Sequence, residues 1–367
     1  MVKGKLWNFT LIAAVSVSLI FGCAPSKPPA DQPKNQTQTQ TQEKQKVSIL
    51  IPGKHNDNGF MEAAYRGYTK IKESLPVDVS YVSDVSATSD VAVLTEAMRD
   101  LAKKGANMII GHGGQCNEPA KTISKEFPNI KFVVIQGNVK GDNLSSYVVK
   151  QEESAWLAGA LAGLTTKTNV VGHISGAWPA PGLLGRAAFY DGLMHVNPKA
   201  KFLTWFTGNL DDLEINRKAA EAEIKNKADI IYTMLNAGRT GVINEITKNE
   251  GKVRHIGNVS DWTKFDKQFI GSAVADSSIA IFNSVNDFIN GKWQANQVTE
   301  IGLKESDVVT LTMAVDVPSD VKTKIEELKA KINSGEIKIK TTYEGKEFNP
   351  ATGEFVDQSF KETLRKK

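Results

Sequence analysis

The chain has 367 residues, 41% hydrophobic and 23% charged, with a formal net charge of +4. This is ordinary globular composition with length enough for two domains. Lysines are spread along it without a basic block, zinc-finger spacing, helix-turn-helix or RNA-motif signature, which argues against direct nucleic-acid binding.

The N-terminal residues read as a processing signal. Lys3 and Lys5 precede an apolar run over 6–21 that suits a signal h-region better than a membrane span. It ends Leu19-Ile20-Phe21-Gly22-Cys23, which resembles the bacterial lipoprotein box, with Phe21 bulkier than usual at its position. That resemblance implies a signal peptide over 1–22, a lipidated Cys23 and an anchor on the extracytoplasmic face of the cell membrane. The segment 24–46 is rich in Pro, Gln, Thr and Lys, including Thr37-Gln38-Thr39-Gln40-Thr41-Gln42. It lacks apolar residues for a core, so 23–45 is expected to be the lipidated cysteine and a disordered tether. With Cys23 lipidated, Cys116 has no intramolecular partner, and neither a disulfide framework nor a zinc site is expected. Cys116 is expected to be a semi-buried thiol.

The folded chain begins with an apolar strand over 47–51, stopped by Pro52-Gly53 and followed by the polar loop Asn56-Asp57-Asn58. A helix pattern starts at Phe60, with Ala64, Tyr65 and Tyr68 on related faces. A strand over 77–82 follows, then a helix over 90–104 with Leu94, Ala97, Met98 and Leu101 on one face. The strand 107–110 ends in Gly111-His112-Gly113-Gly114, a helix spans 118–127, and the strand 131–135 ends in Gln136-Gly137-Asn138. Residues 147–149 are short and extended.

A second series repeats the pattern. Helix 152–165 leads to strand 169–174, ending at Trp178; helix 183–197 leads to strand 201–206, ending in Asn209-Leu210-Asp211-Asp212. Helix 214–226 precedes strand 229–234, ending at Asn236. Helix 240–249 precedes strand 253–256, ending in Asn258-Val259-Ser260-Asp261-Trp262. Strand 269–274, helix 277–290, strand 308–313 and a lysine-rich helix 319–334 complete it. From about 342 onward the sequence is polar without a period, and a loosely held tail is expected.

Strands alternating with helices predict an α/β fold of two doubly wound parallel-sheet lobes with a hinge and a cleft between them. The lobes are expected at 46–150 with 265–295 and at 151–264 with 296–341, leaving 342–367 as tail. Ligands of such sheets bind at the carboxyl ends of the strands. The loops there offer amides, carboxylates, glycines and aromatic rings, which suits a flat, hydroxyl-bearing ligand.

Several pieces in this order resemble the basic membrane protein family of lipoproteins. They are Asn56-Asp57-Asn58-Gly59-Phe60 with Ala64-Tyr65-Arg66-Gly67; Ile109-Ile110-Gly111-His112-Gly113; Phe127-Pro128-Asn129; Glu153 with Leu157-Ala158-Gly159; Phe189-Tyr190-Asp191-Gly192; Asn197-Pro198; and Ile256-Gly257 with Ser260-Asp261. The resemblance implies a type I periplasmic-binding-protein fold and a substrate-binding subunit of an ABC importer for purine nucleosides. The Gly111-His112-Gly113, Asp211-Asp212 and Val259-Ser260-Asp261 variants look closest to a Med-like branch linked to competence regulation, which keeps a ligand-sensing role open. It also implies that Phe60 stacks on a base beside Asn56, Asp57 and Asn58, that Gln136 stands where an aspartate often pairs with the base, and that Asp261 meets sugar hydroxyls. Gln136, Leu210 and Ala275-Asp276 depart from the nucleoside-binding pattern, leaving a bare base as a further candidate.

The expected binding residues are therefore Asn56, Asp57, Asn58, Phe60, His112, Gly113, Gln136, Trp178, Asn236 and Asp261. Each has a plainer alternative: a helix cap for Asp57, a loop hydrogen-bonder for His112, packing for Phe60 and Trp178, loop-structuring for Asp261. The glycine loop at 111–114 lacks dinucleotide and Walker spacing, and no nucleophile, base and orienting acid can be assembled. The expectation is a binding protein, not an enzyme, with no cofactor or metal. Its expected partners are a small-molecule ligand, an ABC permease and, through the lipid, the membrane.

Overall fold

The computed structural model describes residues 44–85, 90–176 and 180–358; Cys23, the expected tether as far as residue 43, and Trp178 lie outside the described residues. β1 (Lys46–Leu50), buried from Val47 onward, forms a sheet with β2 (Asp78–Val82), β3 (Met108–His112), β4 (Lys131–Ile135) and β5 (Leu144–Val149) and lies inside the edge strand β2. A second sheet takes β6 (Val170–Ser175), β7 (Lys201–Phe206), β8 (Ile230–Met234), β9 (Arg254–Val259) and β10 (Phe269–Ala275). The first sheet gains an edge strand, β11 (Val298–Ile301), and the second gains β12 (Val309–Met313). Their orders are β11-β5-β4-β3-β1-β2 and β12-β10-β9-β8-β6-β7. All pairings are parallel except β12 against β10. Both sheets are doubly wound, with the chain returning through helices.

The helices are α1 (Phe60–Ser74), α2 (Val91–Lys103), α3 (Asn117–Glu126), α4 (Gln151–Thr165), α5 (Ala180–Val196), α6 (Leu213–Lys225), α7 (Arg239–Thr247), α8 (Ser277–Ile289) and α9 (Ser319–Asn333). One apolar cluster runs from β1, β3 and α1 through α4 and α5 to β8, β10 and α9. A second lies under α2 and α3, and a third under α6 and α7. These clusters fall between Val47 and Phe348, so the chain from residue 24 onward carries the whole core of the described residues. α4 and α5 cross so closely that a Cβ on Gly159 would lie 1.9 Å from the Phe189 carbonyl oxygen. Only glycine permits this approach.

The chain passes between the lobes at points the sequence reading misplaces. β10 belongs to the second sheet, although 265–295 was expected in the first lobe. β11 belongs to the first sheet, although 296–341 was expected in the second. α8 packs on α1 of the first lobe, with Ile281 against Gly67. The chain therefore crosses after β5, after β10 and after β11.

The tail also differs from expectation. β13 (Glu347–Phe348) and β14 (Phe355–Val356) form a small antiparallel ribbon beside β7. Glu347 is wholly buried and pairs with Arg186 of α5 at 2.9 Å, while Phe348 joins the cluster under α6 and α7. A buried ion pair and an apolar anchor outweigh the polar composition of this segment. No helix among the described residues is long and apolar enough to cross a membrane.

Candidate ligand-binding site

The loop between β1 and α1 is built around Asp57. Its Oδ1 accepts from the backbone N–H groups of Gly59 (2.8 Å) and Glu62 (3.0 Å), and its Oδ2 from Met61 N–H (3.2 Å). These satisfy amide groups that the start of α1 leaves without helical partners. Burial pushes the Asp57 pKa up, against the lowering effect of these amides. Oδ2 also accepts from Asn236 Nδ2 at 2.8 Å, across from the loop between β8 and α7. The two lobes thus touch directly. Gly59 sits against Asn236, where a Cβ would be 2.0 Å from its Oδ1.

Phe60 opens α1, half-buried, and its ring stacks on His112 at the end of β3, with centroids 4.0 Å apart and an angle of 24°. His112 Nε2 lies 2.8 Å from the Phe60 carbonyl oxygen. A carbonyl only accepts, so Nε2 carries the proton and Nδ1 is left as an acceptor. Nδ1 is buried without a partner among the described residues. Burial holds the imidazole pKa down at about 4, so the ring is neutral at pH 7. The imidazole backs one face of the Phe60 ring.

Gly113 has φ of 103°, in a region that favours glycine, and its N–H donates to the Ile135 carbonyl at 2.8 Å. Gln136, with φ of 57°, turns its carboxamide along the sheet. Nε2 donates to the Val149 carbonyl (2.9 Å), and Oε1 accepts from Val149 N–H (2.7 Å). Both ends extend the β4–β5 ladder. Asn56 is exposed and lines a separate groove of about 520 Å³ along α1, together with Glu62, Arg66 and Lys70. Asn58 is exposed, with φ of 55°.

Asp261 is drawn into the second lobe. Its Oδ1 accepts from Thr263 N–H (3.2 Å), Thr263 Oγ1 (2.6 Å) and Thr312 Oγ1 (2.8 Å), while Lys264 lies 3.2 Å from Oδ2. Burial alone would raise its pKa, and these threonine and lysine contacts bring it below the usual value. Thr312 pairs with Ser272, whereas the rim of the sheet lies at Ala275 and Val309. At about 3.3 Å per residue, Thr312 stands roughly 10 Å back from the rim. The Asp261 carboxylate is therefore anchored to the flank of the second sheet, in a loop-structuring arrangement.

The contacts described bring together Asp57, Asn58, Phe60, His112 and Asn236, and add residues the sequence reading missed. Arg239, the first residue of α7, is 1% exposed. Its guanidinium lies over the Trp262 ring, 4.2 Å from the centroid. It donates to Leu235 O and Asn258 Oδ1, to Thr233 Oγ1 at 3.4 Å, and across the lobes to Asn58 O at 3.2 Å. Burial lowers its pKa to about 9. Next to Asn258, Val259 holds φ of 68°, a strained conformation for a β-branched residue and of a kind that clusters at functional sites. A signal for Arg239 was present in the sequence. A cation in the first turn of a helix opposes the helix dipole, so tertiary contacts must hold it there.

The comparisons agree with this architecture. Among solved structures, a solute-binding protein of an ABC transporter system from Aeropyrum pernix has a TM-score of 0.70 at 20% identity, covering 82% of this chain and 94% of that one. A transcriptional activator of the comK gene from Bacillus halodurans has a TM-score of 0.66 at 24% identity, covering 79% and 98%. These likenesses show the fold. Among sequences, basic membrane protein A1 of Borrelia garinii is 27% identical, over 82% of this chain and 90% of its own length. A purine-binding protein of Brucella abortus is 26% identical over 88% and 87%. The transcriptional activator protein med of Bacillus subtilis is 29% identical over 56% and 63%. The family model described as ABC transporter substrate-binding protein, PnrA-like, matches residues 44–343, and the chain belongs to that family.

Proposed function

We propose that this chain is a membrane-anchored extracytoplasmic receptor that takes a purine nucleoside or nucleobase into the cleft and presents it to an ABC permease. The observation that carries this reading is the Phe60 ring: half-buried beside the Asp57–Asn236 contact between the lobes and stacked on one face by His112, a ring on which a flat solute would stack from the other face. The name of the Brucella relative supports a purine. Cys23 would carry the lipid, and the segment after it would be the tether. Solute bound in the cleft adds contacts to one arrangement of the lobes, and the permease reads the loaded form. The reading is of a binder and not a catalyst: the histidine at the site is neutral and hydrogen-bonded to the backbone.

The test is calorimetry of the chain from residue 24 onward against adenine, guanine, adenosine, guanosine and inosine. Saturable binding of at least one is expected, and silence toward all of them would overturn the assignment. A second reading is a sensor without an import role, favoured by the med relative and by the direct bonds between the lobes. Deleting the gene distinguishes the two. Lost purine uptake indicates import; unchanged uptake with altered transcription indicates a regulator.

A further inference from the structure

The junction between the lobes contains a group that the two-lobed cleft does not require. Arg239 is a flat, delocalised cation stacked on an indole, and it donates to amide oxygens on both sides of the cleft. Its remaining acceptors are a carbonyl and a hydroxyl, all uncharged, and the nearby Asp57 is already occupied by three backbone amides and Asn236. A planar donor held by stacking and by hydrogen bonds from both lobes is the arrangement expected of a captured base-like solute. Here the chain itself supplies it.

We infer that Arg239 acts as an internal ligand: its guanidinium and the adjacent Asn236–Asp57 bond close the two lobes on each other without a solute. This deepens the reading of the cleft as the binding site, since it describes how that site is regulated, but it does not depend on purine being the solute. A ligand that shifts an equilibrium must bind one state better than the other. Arg239 reaches Asn58 only while the lobes are together, so it favours the closed form in that sense. A solute entering the cleft then competes with a resident group, and its apparent affinity falls with the fraction of molecules that are open.

The test is small-angle X-ray scattering of the chain from residue 24 onward, free of solute. The wild type should scatter as a closed molecule. Arg239→Ala should show a larger radius of gyration, and guanidinium at tens of millimolar, far below denaturing levels, should return it to the wild-type value. Arg239→Lys keeps the charge without the planar fork and should also be expanded. Asn236→Ala, at a half-buried position that leaves Arg239 in place, should expand the molecule even if the arginine variants fail to fold. An expanded solute-free wild type that contracts on adding adenosine would overturn the inference. So would variants scattering as the wild type, or an Arg239→Ala profile that guanidinium leaves unchanged. If the wild type is closed yet calorimetry finds no purine, the purine reading fails while the internal ligand stands.

Discussion

The sharpest stability prediction concerns Glu347, because composition and structure give opposite answers there. Glu347 and Arg186 pair at 2.9 Å with side chains 0% and 1% exposed. The guanidinium is also flanked by Tyr343 and Phe206, with centroids at 4.5 and 4.9 Å, and donates to Gln358 Oε1 at 3.3 Å. Removing one partner of a buried ion pair costs about 3–5 kcal/mol, because the other charge stays buried. The rings and Gln358 remain in Glu347→Ala, so the low end, about 3 kcal/mol, is expected. Glu347→Gln keeps an acceptor and loses the charge, for a cost of about 1–2 kcal/mol. Glu354→Ala, at an exposed position of the same ribbon, should stay within about 0.5 kcal/mol of wild type. Urea unfolding of the chain from residue 24 onward, followed by circular dichroism, measures all three. If Glu347→Ala matched the Glu354→Ala control, the tail would be loosely held, and the reasoning from burial would be refuted.

Phe60→Ala should weaken purine binding by about 1–3 kcal/mol, the usual value of base–aromatic stacking, and Phe60→Trp should retain most of it; calorimetry on the folded variants decides. Asp57→Ala strips the cap from α1 and should destabilise the protein by about 1–2 kcal/mol in urea titrations. Cys116 is wholly buried, with its thiol pushed up to about 12 by burial. It should resist a thiol reagent in the native state and react at the rate of unfolding. His112 titrates near 4 when folded against about 6.5 when unfolded. Its folded pKa is depressed, so its contribution is fully present above about 6.5 and lost as pH falls toward 4, up to roughly 3 kcal/mol. His173 and His255 are lowered in the same direction by burial, so urea midpoints should fall steeply across that window, and less steeply in His112→Phe.

Alternation of strands and helices was legible because each period is a local property of the chain. Which sheet a strand joins is not local. Phe269–Ala275 is buried throughout and reads the same in either lobe, and only its pairing with β9 and β12 places it in the second. β11 was missed because four residues, Val298–Ile301, carry too short an alternation to rise above a loop. At the site, residue types at the strand ends were readable, but side-chain directions were not. Gln136 was read as facing the ligand, yet its positive φ turns the amide onto Val149. Asp261 was read as facing sugar hydroxyls, yet the short turn it caps, over Trp262–Lys264, carries it back to Thr312.

These placements bear on what the cleft recognises. A ribose needs acceptors for its hydroxyls, and a bidentate carboxylate is the strongest acceptor a protein offers. Here the Asp57 carboxylate takes three amides of α1 and Asn236, and the Asp261 carboxylate takes two threonines and a lysine. To bind a sugar, Asp57 must give up a bond that builds its own loop, and Asp261 has only Oδ2 to offer, shared with Lys264 and set back from the rim of its sheet. The Phe60 face carries no such cost, because His112 already holds it from behind. For the purine ligand proposed above, recognition should therefore fall more heavily on the flat ring than on the sugar. Within the purine panel, free bases should bind at least as tightly as their nucleosides. A nucleoside bound tenfold more tightly than its base would refute this, and would show that one of the two acids meets the ribose.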